Sequence, residues 1–333
     1  MSNELSTYKR NRINEITNLY NSSISRLYSI LLANVRNVQS SKQILKTKQT
    51  QINNLITQYN INVNTLKNTF NKNIQTINNF IPNKIKITNK KRALLVGINY
   101  MGTTNELFGC INDVNNIKNR IDKEGFTDIN MLTDLTTKKP TRDNILTEFK
   151  RLLTNSQPGD LLFFCYSGHG YFTKDLNNDE TDGQDEMIVT SDSQGILDDE
   201  FKAIIQSNLK ENVTLLALFD SCHSGTILDL KYQYMNSMNY DNYTENSKIL
   251  ETNGNVLMIS GCMDNQTSAE AIINNTDNGA MTWALLETLK ENQNITWREL
   301  IKKMRDSLKK STYTQIPQFS SGKFSDIDSK IFI

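Results

Sequence analysis

The sequence predicts an α/β domain, in which helices flank a mostly parallel β-sheet, preceded by an α-helical N-terminal extension. The first observation is a set of short apolar runs that do not alternate with polar residues, as is typical of strands buried on both faces. These runs are Ala93–Ile98, Leu161–Tyr166, Leu215–Phe219 and Val256–Ser260. The second observation is that amphipathic segments separate the runs, and strand–helix–strand alternation favours a parallel sheet.

Five amphipathic segments are the predicted helices of this domain, three between the apolar runs and two after the last run. They are Asp113–Glu124, Thr141–Thr154, Asp199–Asn208, Met281–Glu291 and Thr296–Leu308. In sheets of this kind the active site lies beyond the carboxyl ends of the strands. The residues that follow each apolar run are therefore the first candidates for chemistry.

The N-terminal extension is predicted from a different composition, rich in Asn, Gln, Thr, Ser, Lys and Ile, with no Gly before Gly97. Apolar residues recur every seven positions at Ile24, Leu31, Val38, Leu45 and Ile52, which indicates an amphipathic helix. Several of the matching core positions are polar, so a coiled coil, a helical hairpin and a partly disordered arm all stay open. We predict a helical pro-region over residues 1–88 and a catalytic domain over residues 89–333.

Composition excludes several classes of protein. The net charge of +1 gives no general attraction to nucleic acid or to anionic membranes. The four cysteines form no CxxC pair, which argues against a disulfide scaffold or a structural zinc site. No apolar run approaches the roughly 18 residues of a membrane span. We expect a cytoplasmic protein with neither nucleic-acid nor membrane partners.

Three polar, glycine-flanked clusters are expected at one edge of the predicted sheet. They are Gly109–Val114, Ser167–Gly170 and Asp220–Gly225. The last two contain His169 and Cys222. A cysteine nucleophile needs a base to form the thiolate and an acid to protonate the leaving amine, and histidine suits both tasks at neutral pH. A buried structural cysteine beside a hydrogen-bonded histidine is the alternative for such a pair.

These clusters resemble those of metacaspases, which are caspase-like cysteine peptidases. The resemblance rests on YSGHG and DSCHSG, and on KRALLVGINY, ELFGCINDV, PTRDNIL, SGCMDNQTSAEA, GAMTWALLETL and QIPQFSSG in the same order. It covers about residues 91–333 and implies a caspase-like fold. The short stretch between DSCHSG and NVLMIS is similar to type I members. Residues 1–90 lack the Pro/Gln-rich arm or zinc finger common in type I, so the resemblance implies nothing about them.

The resemblance assigns the catalytic roles. It implies that Cys222 is the nucleophile and that His169 acts first as base and then as acid. It also implies that the backbone N–H groups of Gly170 and Cys222 form the oxyanion hole. His223 directly follows the nucleophile and is expected to point elsewhere, as a structural or rim residue.

The resemblance also implies a substrate pocket for a Lys or Arg side chain. Asp113 and Asp220 would bind the cation, and Cys110 and Ser167 would complete the wall. Charge complementarity explains the preference, because an acidic pocket attracts a cation and repels an aspartate. For Asp113 the alternative is a carboxylate favoured by the dipole at a helix N-terminus.

An acidic region suggests a calcium site, because Ca²⁺ prefers six to eight oxygen ligands. The region comprises Asp175–Glu186, Gly195–Glu200 and Asp229, and it lacks EF-hand spacing. By resemblance the ligands are Asp185, Asp198, Asp199 and Asp229, and the ion activates the enzyme without taking part in the chemistry. The alternative is a solvated acidic loop, with Asp198 or Asp199 capping the next helix.

The sequence therefore predicts a calcium-dependent cysteine endopeptidase that cleaves protein substrates after Lys or Arg and is processed from a zymogen. Lys231, Lys248 and the lysines of the linker Lys84–Lys91 are the predicted self-cleavage sites. One alternative is an aspartate-specific caspase, which would need arginines in its pocket. The other is a non-catalytic scaffold that self-associates through residues 1–88. Cys165 and Cys262 are predicted to be inert core thiols, and Met187, Trp283 and Phe319 to be packing residues.

Overall fold

The computed structural model describes residues 3–82, 85–174, 184–222, 224–234, 243–261, 270–273, 276–292 and 294–333. The chain divides into two compact units, Met1–Pro82 and Asn83–Ile333. Within the described ranges, no helix combines the length and the apolar character needed to cross a membrane.

The first unit is a helical hairpin. Helix α1 spans Asn3–Ser40 and helix α2 spans Leu45–Asn78. Aromatic pairs connect them at Tyr20–Phe70 and Tyr28–Tyr59, with ring centroids 4.8 and 6.4 Å apart, and Tyr8 of α1 lies 5.0 Å from Phe80, two residues after α2. Because the residue number falls on one helix as it rises on the other, the two helices are antiparallel. A hairpin is one of the three forms that the seven-residue pattern left open.

The second unit contains the strands and the remaining helices. The strands, in chain order from β1 to β13, are Lys91–Gly97, Asp128–Thr133, Leu161–Ser167, Gly170–Lys174, Gln184–Val189, Gly195–Leu197, Thr214–Asp220, Tyr232–Tyr234, Tyr243–Glu245, Asn255–Ser260, Glu270–Ile273, Thr276–Gly279 and Gln318–Ser321. The helices α3 to α7 are Cys110–Lys123, Arg142–Thr154, Asp198–Asn208, Ala280–Glu291 and Trp297–Lys310.

The central sheet, as far as the described residues define it, has the strand order β2-β1-β3-β7-β10-β13-β8-β9. Strands β2, β1, β3, β7 and β10 are parallel to one another, and the remaining pairings are antiparallel. Helices flank this sheet, so the predicted fold class is confirmed. The four apolar runs are strands β1, β3, β7 and β10, and the five amphipathic segments are helices α3 to α7.

Strands β3 and β7 lie at the centre of the sheet, and every residue in both is buried. Their apolar side chains pack with β1 and with helices α4 and α5 in one core cluster. This burial explains why both strands read as continuous apolar runs. It also makes the carboxyl ends of β1, β3 and β7 a rigid platform for the loops that follow.

Candidate active site

Strands β3 and β7 bring the predicted nucleophile and base to the same point of the sheet edge. They pair in parallel with Ser167 opposite Asp220, and paired strands lie about 4.8 Å apart. His169 is two residues beyond Ser167, and Cys222 is two residues beyond Asp220. The strand register therefore places His169 and Cys222 side by side where the chain leaves the sheet.

Gly170 lets these two loops touch. A Cβ atom at position 170 would lie 1.9 Å from the carbonyl oxygen of Cys222 and 3.2 Å from the side chain of Ser221. No other residue type fits at 1.9 Å, so glycine is required here by the close approach of the backbones. Cys222 itself is half-buried, so that solvent, and hence a substrate, reaches part of it.

The ring of His169 is oriented by a backbone carbonyl. Its Nε2 lies 2.8 Å from the carbonyl oxygen of Asn105. Because a carbonyl oxygen can only accept, Nε2 must carry the hydrogen in this contact. In the neutral ring Nδ1 is then the nitrogen with a lone pair, which is the state that a general base requires.

Two buried tyrosines hold the backbone of His169 through hydrogen bonds. The hydroxyl of Tyr100 accepts a hydrogen bond from the backbone N–H of His169 at 2.8 Å, and the hydroxyl of Tyr166 donates to the His169 carbonyl at 2.7 Å. The rings of Tyr100 and His169 are 4.7 Å apart. Burial raises the pKa of both tyrosines, so both hydroxyls stay protonated and keep their donor capacity.

Tyr100 holds this position in an unusual backbone conformation. Its φ is 51°, in the left-handed region that side chains other than glycine seldom adopt. Backbone strain of this kind is found where the surrounding structure fixes a residue for a purpose, often at active sites. Here the strain accompanies the hydroxyl that fixes His169.

The predicted pocket residues meet at the same edge of the sheet. The Ser167 hydroxyl donates to Asp113 Oδ2 at 2.8 Å, and the Gly279 N–H lies 2.9 Å from both carboxylate oxygens of Asp113. Asp113 and Ser167 are at most 1% exposed. Asp113 belongs to the first turn of α3, but these contacts are made with β3 and β12.

Asp220 is the second buried carboxylate of the pocket. Its Oδ2 accepts the backbone N–H of Thr282, in the first turn of α6, at 2.8 Å. A Cβ atom on Gly279 would lie 2.2 Å from Asp220 Oδ2 and 2.7 Å from Asp113 Oδ2. Both carboxylates therefore converge on Gly279, which has room for no side chain. Cys110, one helical turn before Asp113, is also buried.

Three of the four predicted calcium ligands form one cluster. Ligand atoms of Asp198, Asp199 and Asp229 all lie within 4.8 Å of one another. Asp198 begins helix α5, where its carboxylate accepts the N–H of Asp199 at 2.6 Å and that of Glu186 at 2.7 Å. The fourth predicted ligand, Asp185, is buried in β5 and lies outside the cluster.

This cluster is electrostatically unfavourable as a set of carboxylates. Burial, and then the charge of Asp229, raises the pKa of Asp198 to about 7, and Asp185 adds to the effect. A lysine offsets part of the repulsion. Lys202 Nζ lies 3.1 Å from Asp229 Oδ2 and 3.7 Å from Asp199 Oδ1. These residues fit a divalent cation, since such an ion neutralises converging carboxylates.

Several predicted residues remain to be placed. Cys165 is fully buried in β3, and burial raises its pKa. Phe319 is buried and stacks on Trp297. Trp283 is half-buried in α6. His223, Cys262 and positions 175–183 of the acidic region lie outside the described residues.

The structure also shows contributors that sequence analysis missed. Asn105 acts through its carbonyl oxygen, for which no side-chain pattern exists. Tyr100 and Gly279 act through fold contacts between distant segments. Lys202 was open to detection, because it follows Asp199 by three residues on one helix and such pairs are neighbours on the helix surface.

Comparisons with known proteins identify the family of this chain. A sequence model described as "Metacaspase, peptidase C14 domain" matches residues 91–231. The chain is 36% identical over 299 residues to "Metacaspase-1" of Meyerozyma guilliermondii, covering 74% of this chain and 73% of the relative. It is 37% identical over 290 residues to "Metacaspase-1" of Mycosarcoma maydis, covering 72% of each.

A solved structure supports the fold. Protein GSU0716 from Geobacter sulfurreducens is similar with a TM-score of 0.56 and 26% sequence identity, over 73% of this chain and 98% of that chain. The sequence relatives decide the family, because they are more than 30% identical over more than two thirds of this chain. The chain belongs to the metacaspase family and is a cysteine peptidase of that family.

Proposed function

We propose that this peptidase cleaves protein chains after Lys or Arg, with Cys222 as nucleophile and His169 as general base and acid. One observation carries the proposal: the paired ends of β3 and β7 lead into His169 and Cys222 and also supply Asp220 and Ser167, and Ser167 binds the second buried carboxylate, Asp113 of α3. Asp220 lies two residues before Cys222, and Ser167, which binds Asp113, lies two residues before His169. Chemistry and specificity are thus built from the same two strand ends.

The chemistry follows from the orientation of His169. With its Nε2 hydrogen held by Asn105, Nδ1 accepts the proton of the Cys222 thiol, and the thiolate attacks the scissile carbonyl carbon. The backbone N–H groups of Gly170 and Cys222 stabilise the oxyanion. The imidazolium then gives its proton to the leaving amine as the C–N bond breaks, which leaves an acyl group on Cys222. His169 Nδ1 next takes a proton from water, the resulting hydroxide attacks the acyl carbon, and the C–S bond breaks as the proton returns to the Cys222 sulfur.

The specificity follows from the charge of the pocket. Asp113 and Asp220 are buried side chains fixed by backbone N–H groups of Gly279 and Thr282. Neutral donors orient a carboxylate without cancelling its charge, so the site keeps a negative potential. A Lys or Arg side chain entering beside them forms a desolvated ion pair, whereas an Asp side chain is repelled.

Calcium is the proposed activator, held by Asp198, Asp199 and Asp229, with Asp185 contributing negative charge nearby. When bound, the ion supplies neutralising charge, and all chemical steps stay with Cys222 and His169. The cluster has a physical connection to the active site. Asp229 closes a tight turn with Thr226 (N–H to carbonyl, 2.6 Å), and this turn directly follows the DSCHSG segment.

Thr226 extends the connection to a three-stranded sheet made of β4, β5 and β6. Its hydroxyl donates to Glu186 Oε2 at 2.7 Å, and Glu186 neighbours Asp185 in β5. Strand β5 pairs with β4, which starts at Gly170. A cation that fixes Asp229 and Asp198 therefore orders both loops that carry the catalytic pair.

Self-cleavage is proposed to occur after Lys248 rather than Lys231. Lys231 Nζ donates to the carbonyl oxygen of Ile249 at 2.8 Å and lies 3.4 Å from Glu245. Its side chain is 11% exposed, and it would have to leave these partners to enter the pocket. Lys248 is exposed, and Leu250, which follows closely, is 80% exposed.

The test is a panel of fluorogenic Arg, Lys and Asp peptides, assayed with wild type and Cys222→Ala in calcium or in chelator. We expect cleavage after Arg and Lys in calcium, lost at least about 1,000-fold in Cys222→Ala. Cleavage after Asp would overturn the pocket assignment, and full activity in chelator would overturn the calcium assignment. Silence of the wild type under all conditions would favour the scaffold alternative.

Intact mass after calcium addition tests the self-cleavage proposal separately. We expect a cut in wild type that Lys248→Gln prevents and Lys231→Gln does not. A chain that stays whole in active enzyme would contradict the proposal.

A further inference from the structure

The charge of the chain is divided unevenly between its two units. Residues 1–82 contain ten Lys and Arg but two Asp and Glu, whereas residues 83–333 contain 27 Lys and Arg and 34 Asp and Glu. No Asp or Glu occurs between Glu15 and Glu106. The overall net charge of +1 is the sum of +8 on the basic hairpin and −7 on the acidic catalytic unit, so an expectation based on that sum does not apply to the hairpin.

Basic charge and exposed apolar surface coincide where α1 turns into α2. We call residues 36–48 the hairpin tip. Ile44 and Leu45 are 79% and 82% exposed, although both are aliphatic. Around them the tip carries Arg36, Lys42, Lys46 and Lys48 and no acidic residue.

The tip is ordered by its own contacts. Lys48 Nζ donates to the carbonyl oxygen of Gln39, near the end of α1, at 2.7 Å. The backbone N–H groups of Thr47 and Lys48 donate to the carbonyl oxygen of Ile44 at 3.0 and 3.2 Å. Exposure of the Ile44–Leu45 pair is therefore a property of a defined turn between two helices.

We propose that the hairpin tip docks the protein onto anionic phospholipid membranes. Ile44 and Leu45 would enter the boundary between headgroups and acyl chains, and the exposed side chains of Arg36, Lys42 and Lys46 would contact the anionic headgroups. An apolar surface bordered by Lys and Arg is the pattern of proteins that lie on a membrane without crossing it. Each basic residue near such a surface strengthens binding by about fivefold.

Charge and chemistry favour this occupant over two others. A second copy of the tip carries the same positive charges and is repelled by the first. Nucleic acid would satisfy the lysines, but phosphates and bases give an exposed Ile–Leu pair little to pack against, since base stacking uses aromatic side chains. A lipid bilayer offers both an anionic surface and an apolar interior.

The experiment is vesicle co-sedimentation of the full chain carrying Cys222→Ala, which prevents self-cleavage, in chelator. Vesicles contain phosphatidylcholine alone or with about 30% phosphatidylserine. We expect binding to the anionic vesicles alone, weakened by salt. Lys42→Gln/Lys46→Gln is expected to weaken binding by about 25-fold, and Ile44→Ser/Leu45→Ser to weaken it at unchanged charge.

A matched control removes two charges from the other end of the hairpin. Lys67→Gln/Lys72→Gln changes exposed residues of α2 and is expected to weaken binding far less than the tip variant, with helix content checked by circular dichroism. Equal losses in both charge variants, or no binding to anionic vesicles, would overturn the proposal. The proposal would also be overturned if the protein self-associated without vesicles and Ile44→Ser/Leu45→Ser abolished this self-association. Binding of nucleic acid that Ile44→Ser/Leu45→Ser retained would overturn it as well.

Discussion

Two groups of carboxylates, the pocket pair and the acidic cluster, differ in the partners that surround them. In the pocket, Asp113 and Asp220 each accept backbone N–H groups at 2.8–2.9 Å. In the acidic cluster, Asp198, Asp199 and Asp229 crowd within 4.8 Å, and the pKa of Asp198 is raised to about 7. The carboxylates are crowded in both groups, since both pocket Oδ2 atoms lie within 2.7 Å of the Cβ position at Gly279. The cluster already holds a cationic partner, Lys202, whereas the partners described for the pocket pair are neutral donors.

We propose that the pocket pair determines specificity and that the acidic cluster controls activation. A carboxylate held by neutral donors is ready for a substrate cation without rearrangement. Mutually repelling carboxylates instead couple their loops to the presence of a free ion, because binding relieves the repulsion. The following predictions test that division, starting with the largest effect.

Removing charge from the pocket should damage specificity at every calcium concentration. Asp220→Asn keeps an oxygen acceptor for the Thr282 N–H but loses the partner of the substrate cation. Breaking a buried ion pair costs about 3–5 kcal/mol, so we expect kcat/KM for Arg peptides to fall by at least about 100-fold. Steady-state kinetics measures the loss. Asp143→Asn, which changes a side chain that is 95% exposed, is the control variant. A fall confined to low calcium would contradict the division.

Adding a methyl group to the pocket should also lower kcat/KM for Arg peptides, by a smaller factor. Gly279→Ala places a methyl group against both pocket carboxylates, at 2.2 Å from Asp220 Oδ2 and 2.7 Å from Asp113 Oδ2. Overpacking of a well-packed site costs about 1–3 kcal/mol, so we expect kcat/KM to fall by roughly 5- to 150-fold. Peptide cleavage and thermal unfolding measured together separate pocket loss from loss of fold. Unchanged kcat/KM would show that substrates bind elsewhere.

Removing charge from the acidic cluster should raise the calcium concentration that activation requires. Asp198→Asn is expected to raise the half-activating calcium concentration by about 10- to 100-fold, the range seen when groups that support a metal site are changed. The maximal rate at saturating calcium should stay close to that of wild type, because Asp198 takes no part in the chemistry. Calcium binding measured by calorimetry provides a readout that is independent of activity. An unchanged midpoint in both assays would contradict the assignment.

Removing the positive charge of Lys202 should lower the half-activating calcium concentration. Lys202 neutralises Asp229 and Asp199, so an entering ion must displace it. Lys202→Met preserves most of the side-chain volume and is expected to lower the half-activating calcium concentration by about 3- to 5-fold, since partly exposed ion pairs contribute about 1 kcal/mol or less. Lys150→Met, at an exposed lysine of α4, is the matched control. A higher midpoint in Lys202→Met would show that the lysine supports the site.

The sequence was most informative where burial is uniform. Strands β1, β3, β7 and β10 are almost wholly buried and appear as unbroken apolar runs, so the fold class could be predicted. Strand β2 was missed because its residues near Asp128 are exposed or half-buried. The three- and four-residue antiparallel strands β8, β9 and β13 are too short to produce a recognisable period.

The candidate site, like the fold, could be predicted only in part from the sequence. Side chains with their own chemistry, such as Cys222, His169 and the aspartates, could be proposed from residue type and family resemblance. Asn105 and Gly279 act through a carbonyl oxygen and through the absence of a side chain, and neither has a local pattern. The exposure of Ile44 and Leu45 was equally invisible, because the seven-residue pattern counts Leu45 among the buried positions, whereas the hairpin turns there.

We propose separate tasks for the two carboxylate groups, specificity for the pocket pair and activation for the acidic cluster. The most direct test is one calcium titration of Arg-peptide cleavage with wild type, Asp220→Asn and Asp198→Asn. We predict that Asp220→Asn lowers the plateau and leaves the midpoint in place, and that Asp198→Asn moves the midpoint and leaves the plateau in place. If either variant changes the quantity assigned to the other, the two groups act as one site and the account is wrong.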